Sequence, residues 1–346
     1  MFNALTRAGA DVANYPFCTI DPNVGVIAVP DARLPALNAV EQRSRAVPAV
    51  IEFIDIAGLV EGASRGEGRG NQFLEHIHHA DALVHVVRCF RDPNVAHVRA
   101  DLSPVDDVRT INLELILADL QTAQNACEKL GKRARGNDRE ARAALEVMQT
   151  LRDHLDEEQP ARTAPLSADA WERIREYRFL TRKPVIYVAN LGEDDLPDMD
   201  SEMVRRLEEI AGAEGNIVIP ICARIESEIA ELDEGEAEEF LEAMGLTEPS
   251  LDRLLRECYA HLGLITFFTV GDEEVRAWTI PRGFTAPEAG GVIHTDFKES
   301  FIRVEVTHFP DFEEFGSRQE AKAHGRMHVE GKDYVVRDGD ILYFRV

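Results

Sequence analysis

Lysine is scarce in this chain. Six lysines stand among its 346 residues, and 38 basic side chains against 63 acidic ones give a formal net charge of −25. That balance excludes a surface that coats nucleic acid non-specifically, because phosphate binding needs clustered cations; any RNA contact has to be local. Cysteine is sparse and scattered: Cys18, Cys89, Cys127, Cys222 and Cys258 form no C-x-x-C pair, which argues against a zinc site and a disulfide framework and leaves free thiols. No run approaches the roughly 18 consecutive apolar residues of a membrane span, and no basic segment leads into an apolar one at the start of the chain. A cytoplasmic location is expected. What the chain has in quantity is hydrophobic residues, 45% of the total, enough for one large domain and a small one, each with its own core.

Apolar β-type runs alternate with helical patterns through most of the chain: "VIEFIDIAG" (50–58), "ALVHVVRCF" (82–90), "PVIYVAN" (184–190) and "NIVIPICA" (216–223). Continuous rather than alternating apolarity predicts strands covered on both faces, as in a parallel α/β sheet. Between the second and third runs, Leu113, Leu117, Leu120, Ala123, Cys127 and Leu130 recur at helical spacing, as do Ala141, Leu145, Met148, Leu151 and Leu155 beyond Gly136-Asn137. This predicts an antiparallel helical hairpin, although two ordinary core helices would give the same periodicity. After "SLDRLLRECYAHLGL" (250–264) the pattern changes to short runs, "ITFFTV", "VRAWTI", "FIRVEVTHF" and "DYVVRDGDILYFRV", which predict a compact mixed β domain. The acidic stretch 231–243 reads as a solvated helix face.

The strongest local chemistry lies in "VIEFIDIAGLVEGASRGEGRGNQF". A buried strand ending in Asp55, with Gly58 at D-x-x-G spacing, is how a nucleoside triphosphatase presents a carboxylate to Mg²⁺ and a glycine amide to the γ-phosphate. Alone, D-x-x-G is also compatible with an acidic strand end and a surface loop. Three further loops add to it. "NYPFCTIDPNVG" offers Thr19, whose hydroxyl can ligate Mg²⁺; "YVANLGE" sets Asn190 and Glu193 after one strand; "PICARIE" sets Cys222 and Ala223 after the next. Loops at the carboxyl ends of parallel strands are where α/β sheets bind ligands.

Together these segments resemble the YchF-type members of the Obg-related family of translation-associated P-loop NTPases. The likeness is carried by "FNALTRAGADVANYPFCTIDPNVGV", "DIAGLVEGASRGEGRGNQFL", "HVVRCF", "INLELILADL" and "VRAWTIPRGFTAPEAGGVIHTDF", and it runs end to end. It implies an α/β P-loop NTPase-type G domain over residues 1–249 with an α-helical coiled-coil hairpin inserted at 105–160. A linker helix at 250–261 and a β-grasp TGS domain at 262–346 would complete the chain. In such proteins "FNALT" continues the helix behind a G-x-x-x-x-G-K-[ST] phosphate loop, and this sequence contains no such loop. The G domain is therefore expected to be N-terminally truncated here, with Phe2 and Leu5 needing a preceding strand for burial. The reading frame is expected to continue upstream of Met1 for roughly 15 to 20 codons.

The resemblance also implies the base. Where GTPases carry N-K-x-D, this chain has "NLGE": Leu191 replaces the lysine and Glu193 the aspartate. ATP preference follows, with Asn190 and Leu191 beside the adenine, Glu193, Cys222 and Ala223 completing the nucleotide site, and weak GTP use retained. Thr19 and Asp55 are the expected Mg²⁺ ligands. Leu59, after the D-x-x-G glycine, cannot orient water, so turnover should be slow, with Gly58 at the γ-phosphate. His97 is a candidate to position the water, or an ordinary loop histidine. "HIHH" (His76, His78, His79) has no third-ligand motif and reads as solvent-facing.

The implied activity is Mg²⁺-dependent ATP hydrolysis to ADP and phosphate, regulating translation or a stress response through the ribosome, impaired in this chain for lack of the phosphate loop. The alternative is a non-hydrolysing ribosome- or RNA-binding module working through TGS and hairpin surfaces. The hairpin tip, 129–142, supports a ribosomal RNA contact, with six Lys or Arg against two acids. Neither a membrane nor DNA is expected as a partner, and the chain is expected to be a monomer.

Overall fold

The four apolar runs become strands wherever neighbouring strands and helices cover them. In the computed structural model, residues 1–8, 24–56, 69–92, 102–136 and 138–346 are described. The strands are β1 (Val24–Ala28), β2 (Arg45–Val47), β3 (Val50–Ile54), β4 (Leu83–Arg88), β5 (Val185–Asn190), β6 (Ile217–Ile221), β7 (Leu264–Val270), β8 (Glu274–Pro281), β9 (Arg303–His308), β10 (Met327–Glu330) and β11 (Asp340–Arg345). The chain divides into two compact units, one of Ile54–Ser250 with Met1, the other of Phe2–Phe53 with Leu251–Val346.

In the first unit β4, β5 and β6 form a parallel sheet with β5 in the middle, Leu83 opposite Val185 and Asn190 opposite Ile221. Val185 to Ala189 are all buried, as continuous apolarity predicts. The helix Glu202–Ala213, capped by the Ser201 hydroxyl accepting from the Val204 amide, packs Val204, Leu207 and Ala211 onto this sheet. The other edge of β4 has no strand partner among the described residues, and Val86 on it is 47% exposed. β3 pairs with β1.

The connection from β4 to β5 carries two long helices, Pro104–Ala134 and Arg139–Asp156, packed along each other. Their shared core holds Ile116, Ala123, Ala126 and Leu130 against Ala141, Met148, Leu151 and Leu155. The periodicity was legible, the phase only partly so: Leu113 and Leu117 are exposed at 36% and 38%, while Leu115 and Ile116 are buried. Lower on the first helix, Asp119 is 2% exposed and accepts from the Leu180 amide at 2.8 Å and from the Thr181 amide at 2.7 Å and hydroxyl at 2.6 Å. These bonds tie the hairpin to the segment that feeds β5. The acidic stretch is the helix Glu234–Ala243, started by a capping box between Asp233 and Glu236.

The second unit is built on a six-stranded sheet in the order β10-β9-β11-β7-β8-β2. β2 comes from far upstream and lies parallel to β8, with Arg45 opposite Glu274 and Val47 opposite Arg276. Ion pairs hold the upstream segment further: Arg33 reaches both Asp31 and Asp338, and Arg318 grips Glu41 with two bonds of 2.6 and 3.1 Å. The helix Phe2–Ala8 packs on β1 so closely that a Cβ at Gly25 would lie 2.5 Å from the Thr6 methyl. Ala4 and Leu5 on that helix are 1% and 2% exposed.

Candidate functional site

Parallel strands end their hydrogen bonding at the same level, so side chains just beyond them are brought side by side. Beyond β4, the Cys89 amide donates to the Asn190 carbonyl at 2.8 Å; beyond β5, the Leu191 amide donates to the Ile221 carbonyl at 2.8 Å. The first residues after β4, β5 and β6 are thereby held in one row. Across this row the Asn190 Oδ1 accepts from the backbone N–H of Ala223 at 3.1 Å. Asn190 Nδ2 donates to no other group among the described residues, so it is available to the ring nitrogen of a purine.

Each neighbour has a defined state. Leu191 is 2% exposed and packs among Val204 and Leu207, so it belongs to the core beneath the row. Cys222, at the start of the helix Ala223–Ile229, is 2% exposed, and burial pushes its thiol up, against the lowering effect of the Ile225 and Arg224 amides. Burial pushes the Cys89 thiol up to about 12. Both thiols stay protonated near neutral pH, which excludes them as nucleophiles.

Glu193 opens a single 3-10 turn, Glu193–Asp195, after the Gly192 amide has been fixed by the Asp195 carboxylate at 3.1 Å. Its own carboxylate does not stand free: Arg224 Nε lies 2.7 Å from Glu193 Oε1 and 3.5 Å from Glu228 Oε1. Arg224 was missed by sequence reasoning. The available signal was its position directly after Ala223, which places a cation beside whatever follows β5.

Asp55 is one residue beyond β3 and exposed, an oxygen ligand of the hard type that Mg²⁺ takes. Thr19, Gly58 and His97 lie outside the described residues. The loop after β4 is pinned at its start by Arg88, whose Nε and Nη2 donate to the carbonyls of Phe90 at 3.0 Å and Asp92 at 2.9 Å. The helix Arg69–His79, which follows the glycine-rich stretch, has its C-terminus fastened by Lys183: Nζ donates to the carbonyls of Ile77 at 2.6 Å, His78 at 2.9 Å, and Ala80. His76 and His79 on that helix are exposed, whereas His78 is half-buried and its pKa is lowered, first by that burial and then by Lys183. Among the described residues no three His, Cys, Asp or Glu side chains converge on a metal position.

The chain has known counterparts. The chain is 50% identical over 345 residues to the Ribosome-binding ATPase YchF of Haemophilus influenzae, covering 100% of this chain and 94% of that protein. It is 47% identical over 346 residues to the protein of the same name from Bacillus subtilis, with the same coverage of each. The chain belongs to the YchF family.

Two family models agree with that membership: YchF-GTPase_C, described as a protein of unknown function (DUF933), matches residues 264–346, and MMR_HSR1, described as a 50S ribosome-binding GTPase, matches residues 1–119. The solved structure of the Schizosaccharomyces pombe YchF GTPase superposes with a TM-score of 0.89 at 34% identity, covering 99% of this chain and 93% of that one. The fold is accordingly the P-loop GTPase-type α/β fold of YchF proteins.

Proposed function

We propose that this YchF-family protein is an ATP-preferring, Mg²⁺-dependent NTPase whose nucleotide state sets its affinity for the ribosome. The observation that carries the base preference is the pairing of Glu193 with Arg224. A guanine clamp needs a free carboxylate to accept from the ring N–H and the exocyclic amine, and here Glu193 already faces a guanidinium. Asn190, with its oxygen occupied by Ala223 and its amide hydrogens free, donates to a position that adenine and guanine share. Cys222 and Ala223 form the floor beside it. Asp55 and Thr19 would hold Mg²⁺, which when bound neutralises charge on the phosphates; Gly58 would face the γ-phosphate and His97 would position water.

On this reading residues 1–249 are the nucleotide-binding domain in sequence, with 105–160 as its hairpin insertion, 250–261 as a linker helix and 262–346 as a TGS domain, although Phe2–Phe53 packs in one unit with Leu251–Val346 rather than with Ile54–Ser250. The 346 residues contain no G-x-x-x-x-G-K-[ST] loop, the element that would hold the β- and γ-phosphates. Ribosome association is favoured by the names of the relatives and by the hairpin tip, where Lys129, Lys132, Arg133, Arg135, Arg139 and Arg142 are all exposed. That tip also supports the second reading, a binding module that hydrolyses nothing.

Co-sedimentation with ribosomes in the presence of ATP, ADP or no nucleotide, alongside phosphate release, separates the two. Nucleotide-dependent association with measurable ATP turnover supports the NTPase. Association that ignores nucleotide, with no turnover, leaves the binding module.

A further inference from the structure

Away from the nucleotide row, the upper end of the C-terminal sheet holds two imidazoles in an unusual setting. His308 ends β9, and Asp340, directly opposite it at the start of β11, is 1% exposed. Asp340 Oδ1 lies 2.7 Å from His308 Nδ1, while its Oδ2 accepts from the Tyr334 hydroxyl at 2.7 Å and from the Arg337 amide at 2.9 Å. Burial, then the bond to Asp340, push the Tyr334 phenol up, so it remains a donor. With Oδ2 saturated by two donors, Oδ1 acts as an acceptor and Nδ1 carries the proton. The lone pair of His308 is thereby placed on Nε2. A buried carboxylate that fixes the tautomer and ring orientation of a histidine is the usual support of a metal-ligating imidazole.

The second imidazole is His328 on β10. It lies opposite Val306, two residues from His308 and on the same face of the sheet, a diagonal pair within reach of long side chains. The ring centroids are 5.8 Å apart with planes at 41°. Two imidazoles on one tetrahedral or wider-angled ion, with metal–nitrogen bonds of about 2 Å, have centroids roughly 5 to 6 Å apart. His328 is exposed, and its ring makes no hydrogen bond to any described residue. His308 is 25% exposed at its side chain.

We propose that His308 and His328 bind a divalent first-row transition-metal ion of the Zn²⁺ class, with water completing its coordination. Imidazole suits Zn²⁺, Ni²⁺ and Cu²⁺ and disfavours Mg²⁺ and Ca²⁺, so the site is chemically distinct from a nucleotide-bound Mg²⁺. Among the described residues β10 is the edge strand of its sheet and pairs with β9 alone. An ion bridging the two strands therefore fastens that edge.

The test uses the full 346-residue chain, without an affinity tag or nucleotide, titrated with Zn²⁺ by calorimetry, with hydrogen exchange of the β10 amides read in parallel. The wild-type chain should bind one Zn²⁺ saturably and slow exchange along Met327–Glu330. His328→Gln, a change at an exposed side chain, should weaken that binding at least about tenfold and abolish the slowing, and Asp340→Asn should weaken it by a comparable factor. A His76→Gln/His78→Gln/His79→Gln variant should bind as the wild type does. Absence of saturable binding, or binding that His328→Gln retains, overturns the proposal.

Discussion

The carboxamide oxygen of Asn190 accepts the backbone N–H of Ala223 at 3.1 Å, so the end of β5 and the start of the helix after β6 are one unit. The bond spends the acceptor of the side chain on the protein and leaves its donor for a ligand. Asn190→Asp keeps the acceptor and removes the donor. It should leave the melting temperature within a few degrees of the wild type while lowering nucleotide affinity about tenfold, the worth of one hydrogen bond of this kind. Fluorescent-nucleotide titration beside a thermal melt checks both halves.

Arg224→Ala frees the Glu193 carboxylate. Both side chains are substantially exposed, 75% and 43%, so the stability change should be small. The ATP:GTP affinity ratio should nevertheless fall, by a factor of about 2 to 10, because a free carboxylate can accept from guanine and not from adenine. An unchanged ratio in a two-nucleotide competition assay would assign base choice to another residue. Leu191→Lys, the other half of a guanine clamp, is a poor route to GTP use: Leu191 is 2% exposed in the core, and a lysine there should cost several kcal/mol of stability.

The buried Asp119 and the half-buried His85 titrate in opposing directions. Burial raises Asp119 from its ordinary 3.8 to about 6, against the bonds from Thr181 and Leu180, and burial lowers His85 from 6.5 to about 4, against Asp107. For Asp119 the folded state holds its proton longer, so its stabilisation is complete below pH 3.8 and is lost as pH rises through 6. For His85 the unfolded state binds the proton first, so stability is lost as pH falls from 6.5 towards 4. Between pH 4 and 6 the two nearly cancel. Asp119→Asn should unmask His85, giving stability that rises with pH across that window by on the order of 3 kcal/mol, measured by urea unfolding.

Replacing Lys132, Arg133 and Arg135 by glutamate should weaken ribosome association and flatten its salt dependence, since fewer phosphates are then neutralised. All three side chains are exposed, although Arg133 already meets Asp138 at 2.9 Å. Co-sedimentation across a salt series reads the effect, and identical profiles for variant and wild type would remove the hairpin tip from the interface.

What was legible in the sequence was what depends on local pattern. β5 was visible because it is covered on both faces and so reads as an unbroken apolar run, and the hairpin because its helices keep a long periodicity. The phase of the first hairpin helix was not, since Leu113 and Leu117 lie at helical spacing with the core positions yet face outward. β2 has three residues, two of them exposed, and owes its strand conformation to β8, more than 200 positions later. β10, with the sequence Met-His-Val-Glu, is only one residue longer. At the site, Asn190 and Ala223 were found from motif, whereas Arg224, Lys183 and the pairing of His308 with His328 arise only when distant strands and helices meet.

Whether the row beyond β4, β5 and β6 is an ATP-preferring nucleotide site is decided by competition between ATP and GTP for a fluorescent ATP analogue on the wild-type chain with Mg²⁺. ATP should displace the analogue at lower concentration than GTP, and Asn190→Asp should weaken both nucleotides together. Displacement by GTP at equal or lower concentration would contradict the account.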